Sequence, residues 1–254
     1  MLKDKVVMIT GASSGIGRAC AEVFAEQSCR LVLLARRRQA LDELAAELKA
    51  RCSFDYVNLQ CDVRDYAMVE NAYNSLPEDW KNVDVLINNA GLARGMDKIQ
   101  DAVVEDWNEM IDTNIKGLLY VSKMVIPSMA ARGKGIIINI GSIAGNEVYP
   151  GGSVYCATKH AVKAISKGMA MDLNGTGVRV ANLEPGLVET EFSDVRFHGD
   201  RDKAAAVYKG YTPLTGRDIA EAALFIATRP SHVMVQNMLI TPTDQASALI
   251  LNRK

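Results

Sequence analysis

The strongest limit on the fold of this chain is a series of short, almost wholly apolar runs separated by longer segments with helical spacing. VDVLIN and GIIINI are the clearest of these runs. A strand with one wet face alternates apolar and polar residues, so a run that is apolar throughout points to burial on both faces, as in a parallel sheet covered by helices. Strand patterns recur at 5–9, 30–35, 56–60, 83–87, 135–140, 178–183 and 235–240. Helical patterns lie between them, at 15–27, in LDELAAELKA, and at 104–129, 153–173 and 217–228. This alternation predicts right-handed βαβ units in an α/β, doubly wound parallel sheet of about seven strands, with helices on both faces. Such sheets bind ligands beyond the carboxyl ends of their strands, where the strand order reverses. With no linker or repeat, 1–254 is expected to form one domain. The longest irregular stretch, about 189–213, is expected to be a substrate loop or lid.

Composition narrows the function classes. The 254 residues are 48% hydrophobic and carry a net charge of −1, which gives no reason to expect nucleic acid or an anionic membrane as a partner. No apolar run approaches the roughly 20 residues of a membrane helix. Five cysteines without a CxxC pair, and three histidines, offer no metal-ligand spacing. Free thiols and a start, MLKDKVVMIT, that runs directly into a strand pattern lead to the expectation of a cytoplasmic protein without a cleavable leader.

Two strand ends carry the cofactor signal. After the first strand comes Thr10-Gly11-Ala12-Ser13-Ser14-Gly15-Ile16-Gly17, opening a helix. Glycines there permit a tight turn and close backbone approach to a pyrophosphate, which the free N–H groups and dipole of a helix N-terminus attract. Gly11, Ser13, Ser14, Gly15, Ile16 and Gly17 are therefore cofactor candidates. The second strand ends in Ala35-Arg36-Arg37-Arg38, where NAD sites place an acid to hold the ribose hydroxyls. Arginine there suits a 2′-phosphate, and no local carboxylate is evident in the sequence, so NADP(H) is the expected cofactor. Arg36 is the first choice for the phosphate, with Arg37 beside it and Ser13 as a further donor.

Chemistry is expected on a later helix. Tyr155 and Lys159 stand at i and i+4 and so share a helical face. An ammonium beside a phenol favours the phenolate, so the pair reads as a proton-transfer group with Lys159 lowering the pKa of Tyr155.

These motifs together resemble the short-chain dehydrogenase/reductases, and the resemblance extends to Asp62-Val63, Asn88-Asn89-Ala90-Gly91, Asn114, Ser142 and Pro185-Gly186. It spans essentially the whole chain and implies a Rossmann-like fold and a commonly tetrameric assembly built on the long helices after strands four and five. It further implies adenine contacts from Asp62 and Val63, and a cofactor wall from Asn89, Ala90 and Gly91. Pro185, Gly186 and Val188 would flank the nicotinamide, with Thr190 at its carboxamide. Catalysis would fall to Asn114, Ser142, Tyr155 and Lys159. Ser142 would polarise the substrate oxygen, Asn114 would hold a water leading to solvent, and Lys159 would also bond the nicotinamide ribose.

The stretch GLVETEFSDVRFHGDRDKAAAVYKGYTPL, with PTDQAS near the end, looks like the NADP-dependent 3-hydroxy acid dehydrogenases, including those acting on serine and L-allo-threonine. A small hydroxy acid needs a cation. Arg196 is the first candidate and Arg94 the second; alternatively Arg196 pairs with Glu184, Glu191 or Asp194 and only orders the loop. Competing readings are a carbonyl or 3-oxoacyl-carrier reductase and a catalytically silent NADPH sensor. Cys156, His160, Met124, Met129 and the group Trp107, Met110 and Ile111 are expected to be structural. The tail QASALILNRK is expected to cover either a neighbouring subunit or its own core.

Overall fold

The computed structural model describes residues 2–254. Among them one parallel sheet holds seven strands: β1 (Val6–Thr10), β2 (Arg30–Ala35), β3 (Tyr56–Gln60), β4 (Val85–Asn88), β5 (Gly135–Ile140), β6 (Val178–Pro185) and β7 (Asn237–Ile240). Their order is β3-β2-β1-β4-β5-β6-β7, every pair parallel. The order reverses between β1 and β4, so a crevice opens above their carboxyl ends.

Period-two alternation divides the strand side chains between two cores. Val7, Ile9, Leu31 and Leu33 face α1 (Gly15–Glu26), α2 (Arg38–Lys49) and α9 (Gly216–Ala227). Val6, Met8, Val32 and Leu86 face α3 (Tyr66–Asn74) and α5 (Leu118–Ala131), with the end of α6 (Ser153–Asp172). Both faces are covered, which is why the strands read as continuous apolar runs.

Three expectations are corrected. The helix predicted over 104–129 is two helices, α4 (Val104–Ile111) and α5, joined by a π-helical turn at Asp112–Gly117. Insertions of this kind re-aim side chains and often mark functional sites; here the turn buries Asn114. The irregular stretch contains two short helices, α7 (Phe192–Arg196) and α8 (Arg201–Val207). At 5 and 7 residues, each carries too few apolar repeats to register as a helical pattern. Finally, β7 begins two residues late, because Val235 and Gln236 precede the first paired residue, Asn237. No helix among the described residues is long and apolar enough to cross a membrane.

Candidate active site

The floor of the crevice is the turn after β1. Gly11 and Gly15 have φ of +65° and +53°, a region that costs any side-chain-bearing residue. The Asn89 amide donates to the carbonyls of Thr10 (2.9 Å) and Gly11 (3.3 Å), while Thr10 Oγ1 accepts from the N–H groups of Asn89 and Ala90. The turn after β1 is thus stitched to the turn after β4. Ser14 caps α1 without a side-chain hydrogen bond, leaving the helix's first N–H groups for a ligand. Gly17 packs beneath the turn rather than facing the crevice.

At the far end, Arg36, Arg37, Asp62 and Val63 line the same cleft of about 850 Å³. Local carboxylates are present after all. Arg36 Nη1 lies 3.7 Å from Glu109, and Arg37 reaches Ser13 Oγ (3.5 Å) and Glu191 (3.3 Å). Asp62 is held by Arg64, and Glu109 also takes Arg64 and Arg94. Burial opposes ionisation of Glu109, yet the surrounding arginines hold its carboxyl below the usual range. Glu109 sits on α4, far from Arg36 in sequence, so neighbouring residues gave no sign of it.

Ser142, Tyr155 and Lys159 converge on the cleft from the end of β5 and from α6, and all three are buried. Ser142 Oγ accepts from Ala144 N–H (3.1 Å), which leaves its own proton to donate. Lys159 Nζ donates to the Ile140 carbonyl (2.9 Å); two donors remain. Burial drives the Lys159 pKa down to about 8. The Tyr155 phenol is pushed above its ordinary value by burial, and the Arg196 guanidinium, then Ser142, pull it back. The Lys159 ammonium lies 5.9 Å from the centre of the Tyr155 ring.

Asn114 lies behind this group. Its amide exchanges two 2.8 Å bonds with the backbone of Leu92 and donates to Thr158 Oγ1 (3.0 Å). It clamps the Leu92 turn to α6, and one lone pair of Oδ1 is all its side chain has left for a water. Pro185, Gly186, Val188 and Thr190 line the cleft after β6, with Ala90 and Gly91 opposite.

Above the floor, α7 brings Arg196 over the catalytic group. Its Nη2 donates to Tyr149 Oη (2.6 Å), and its guanidinium lies 5.0, 5.4 and 5.7 Å from the rings of Tyr155, Phe192 and Tyr149. Its Nε is shielded from solvent and has no acceptor. The alternative of a loop-ordering ion pair is overturned: Glu184 binds Asn182 and Lys163, and Glu191 binds Arg37. Arg94 is excluded from the cleft. It is bound to Glu109 (2.6 Å) and to the Val195 carbonyl (2.7 Å), where it anchors α7.

The sequence reading missed Tyr149, Phe192 and Gln245 as cleft residues. Tyr149 stands before Pro150-Gly151-Gly152, a turn that carries the chain back into α6, and that placement was the one available sign. Gln245 accepts from Leu187 N–H (2.9 Å). The tail bonds its own chain through Ala248 N–H to Glu147 and through Arg253 to the carbonyls of Lys209 and Val207 at the end of α8, while Leu249 and Ile250 stay exposed. Among the structural expectations, Cys156 and Met129 are fully buried and His160 turns to the Cys156 carbonyl, but Ile111 is exposed.

Known proteins resemble this chain along its whole length. An NADP-dependent 3-hydroxy acid dehydrogenase of Schizosaccharomyces pombe is 44% identical over 254 residues, covering 100% of this chain and 98% of that one. A sulfoacetaldehyde reductase of Chromohalobacter salexigens is 45% identical over 250 residues, covering 98% of each chain. The closed form of a serine dehydrogenase complexed with NADP+ superposes with a TM-score of 0.91 at 44% identity, covering 98% of this chain and 100% of that one. The short chain dehydrogenase family model matches residues 5–200. With its stitched glycine turn and its Ser142, Tyr155 and Lys159 gathered on one cleft, this chain belongs to the short-chain dehydrogenase family.

Proposed function

We propose that this protein is an NADP(H)-dependent oxidoreductase for a small 3-hydroxy acid, working in reverse on the corresponding 3-oxo acid or semialdehyde. The uncapped start of α1, the arginines after β2 and the two spare donors of buried Lys159 fit a phosphorylated dinucleotide. Thr113 Oγ1 adds a buried hydroxyl without a partner on the cleft wall. Gly11, Ser13, Ser14, Gly15 and Ile16 would cradle the pyrophosphate, Arg36 and Arg37 the 2′-phosphate, and Asp62 and Val63 the adenine. Asn89 holds the floor beneath. The cofactor supplies hydride exchange with the carbinol carbon.

The chain's own residues manage the oxygen and its proton. Ser142 donates its free O–H to the substrate oxygen, and Tyr155 exchanges the proton with that oxygen. The spare donors of Lys159 would hold the nicotinamide ribose. Asn114 holds the Leu92 turn against α6. Tyr149 and Arg196 close the site from above and exclude water.

The observation that carries the substrate class is the half-buried Arg196 guanidinium over Tyr155, with a shielded Nε that has no acceptor and no carboxylate partner among the described residues. A substrate carboxylate supplies what it lacks. The same donors suit a sulfonate, and the resemblance to a sulfoacetaldehyde reductase favours that as a second reading. Exposed Val104, Ile111 and Leu119 on α4 and α5 fit a homotetramer.

Arg196→Met is expected to raise KM for L-serine, L-allo-threonine or 3-hydroxybutyrate about 100-fold, the worth of a charge-assisted bond of roughly 2–3 kcal/mol. Simple secondary alcohols should keep their KM. Including 2-hydroxyethanesulfonate in the same steady-state series decides between the two acids. Equal losses on charged and neutral substrates would contradict the assignment.

A further inference from the structure

We infer that Glu109 is a positioning residue shared by the two ligand sites. Its carboxylate divides between Arg36, which faces the 2′-phosphate, and Arg94, which seats α7 and with it Arg196. A phosphorylated cofactor therefore tightens the hold on the hydroxy acid. The inference rests on the proposed roles of Arg36 and Arg196.

Glu109, on α4, stands where three strand ends meet. Its Oε2 accepts from Arg94 Nε at 2.6 Å, while Oε1 lies 3.2 Å from Arg64 Nη1 and 3.7 Å from Arg36 Nη1. The three arginines are not equally free to leave. Arg64 grips both oxygens of Asp62, and Arg94 is mostly buried. Arg36 is half exposed on the cleft and has no other carboxylate partner among the described residues. It is the one an arriving phosphate can take.

The other end of the chain of contacts is α7. Arg94 Nη1 donates to the Val195 carbonyl (2.7 Å), and the next residue, Gly95, donates its N–H to the Arg196 carbonyl (2.8 Å). These are the last two carbonyls of a five-residue helix, an end where an arginine is a favoured partner. Asp106, three residues before Glu109 on α4, bonds His198 just beyond the same end. Two acidic residues of α4 thus hold the end of the helix that carries Arg196, one directly on the chain beyond it and one through Arg94.

One mostly buried carboxylate cannot serve every arginine fully. A phosphate at Arg36 takes that guanidinium by charge-assisted bonds and repels Glu109 toward Arg94, which firms the seat of α7. A cofactor with a ribose hydroxyl there leaves Arg36 on Glu109. Arg37 offers no equal route, because its 3.3 Å contact with Glu191 joins two side chains that are more than half exposed, where an ion pair contributes little. Such a coupling is reciprocal: the hydroxy acid tightens the phosphorylated cofactor by the same factor.

The test compares KM for 3-hydroxybutyrate under saturating NADP+ and saturating NAD+, with a simple secondary alcohol as control, in the native enzyme and in Glu109→Gln. The native KM for the acid should be about 5- to 10-fold lower with NADP+, the low end of allosteric couplings, and KM for the alcohol should be the same with both. Glu109→Gln keeps the shape of the side chain and removes its charge. It should bring the ratio for the acid to about one by raising the NADP+ value, while alcohol turnover with NADP+ holds. NADPH affinity in that variant should not fall, since the carboxylate competing for Arg36 is gone. A native ratio of one, a ratio that survives Glu109→Gln, or a variant that loses NADPH affinity along with KM under both cofactors would overturn the inference, the last by showing that Glu109 only holds the fold. Should NAD+ support no turnover, dead-end complexes decide: 3-hydroxybutyrate should tighten NADPH by the same factor and leave NADH unchanged. Should Glu109→Gln fail to fold, Arg94→Gln, which cuts the chain at its other end, should also bring the ratio to one. An unaltered hydroxy-acid KM in Arg196→Met sinks the proposed substrate class itself; the expected rise there with no cofactor-dependent ratio sinks only the link through Glu109.

Discussion

Beneath the cleft, a methyl group added to Gly17 would lie 2.3 Å from the Gly11 carbonyl oxygen and 2.4 Å from the Asn89 amide nitrogen. Above it, a methyl added to Gly199, between α7 and α8, meets nothing within 4 Å. Both positions serve one site. The floor is backbone packed on backbone and tied through Asn89 and Thr10 to a second turn. The roof is two short helices held by side chains: Arg94 to Val195, Tyr208 to Ser193 and to the Val188 carbonyl, and Arg253 to the end of α8. A dinucleotide presents the same pyrophosphate whatever the reaction, so a rigid floor suits it. Substrates differ, and a roof built from side chains can be altered without disturbing the sheet.

The largest effect belongs to the floor. Gly17→Ala cannot be relieved by a rotamer, because the atoms it meets are a backbone carbonyl and an amide already bonded to that backbone. A loss of more than about 3 kcal/mol is expected, the scale of overpacking that forces backbone to move. It should appear as a melting point lowered by about 6 °C or more and as loss of NADPH binding. A variant with native melting and native affinity would show the floor to be plastic and remove the contrast with the roof.

Arg36→Asp probes the border between the two regions. Arg36 is exposed and reaches Glu109 at 3.7 Å, while its neighbour Arg37 spans Ser13 on the floor and Glu191 on the roof. An acid at 36 places repulsion where a 2′-phosphate would sit and leaves Arg37 in place. NADPH affinity should fall about 10- to 100-fold, and NADH affinity should change little. If both fall together, the arginine supports the Glu109 cluster and not the phosphate. If neither falls, Arg37 carries the phosphate from its bridging position.

The floor was legible in the sequence because its signals are local. Glycines between a strand and a helix, Arg36 at a strand end, and Tyr155 four residues before Lys159 each fall within a single turn or helix. The roof was legible only as a place. Arg196 could be nominated, but Tyr149 and Tyr155 could not be read as its partners, since they come from a loop and from α6, brought to it by the sheet order; Phe192 stands four residues before it on α7 itself. Glu109 gathers three arginines from three strand ends, a meeting that no spacing announces.

The smallest effect is expected at Gly199. It closes α7 with His198: Gly199 N–H bonds the Asp194 carbonyl (2.8 Å) and His198 N–H the Val195 carbonyl (3.4 Å), the paired pattern of a Schellman end. Their φ values are +87° and +51°, so the strained position already holds a side chain at His198 and a glycine where the space is open. Gly199→Ala meets no atom and incurs only the backbone term, about 1–2 kcal/mol. Melting should fall by no more than about 8 °C, and NADPH affinity should be unchanged because no floor contact is involved. Any functional change should appear in KM for the hydroxy acid, through the seating of Arg196 three residues before Gly199. A loss of cofactor affinity as large as that of Gly17→Ala would mean that floor and roof move as one body. A change confined to substrate KM would locate substrate choice in the turn that ends α7.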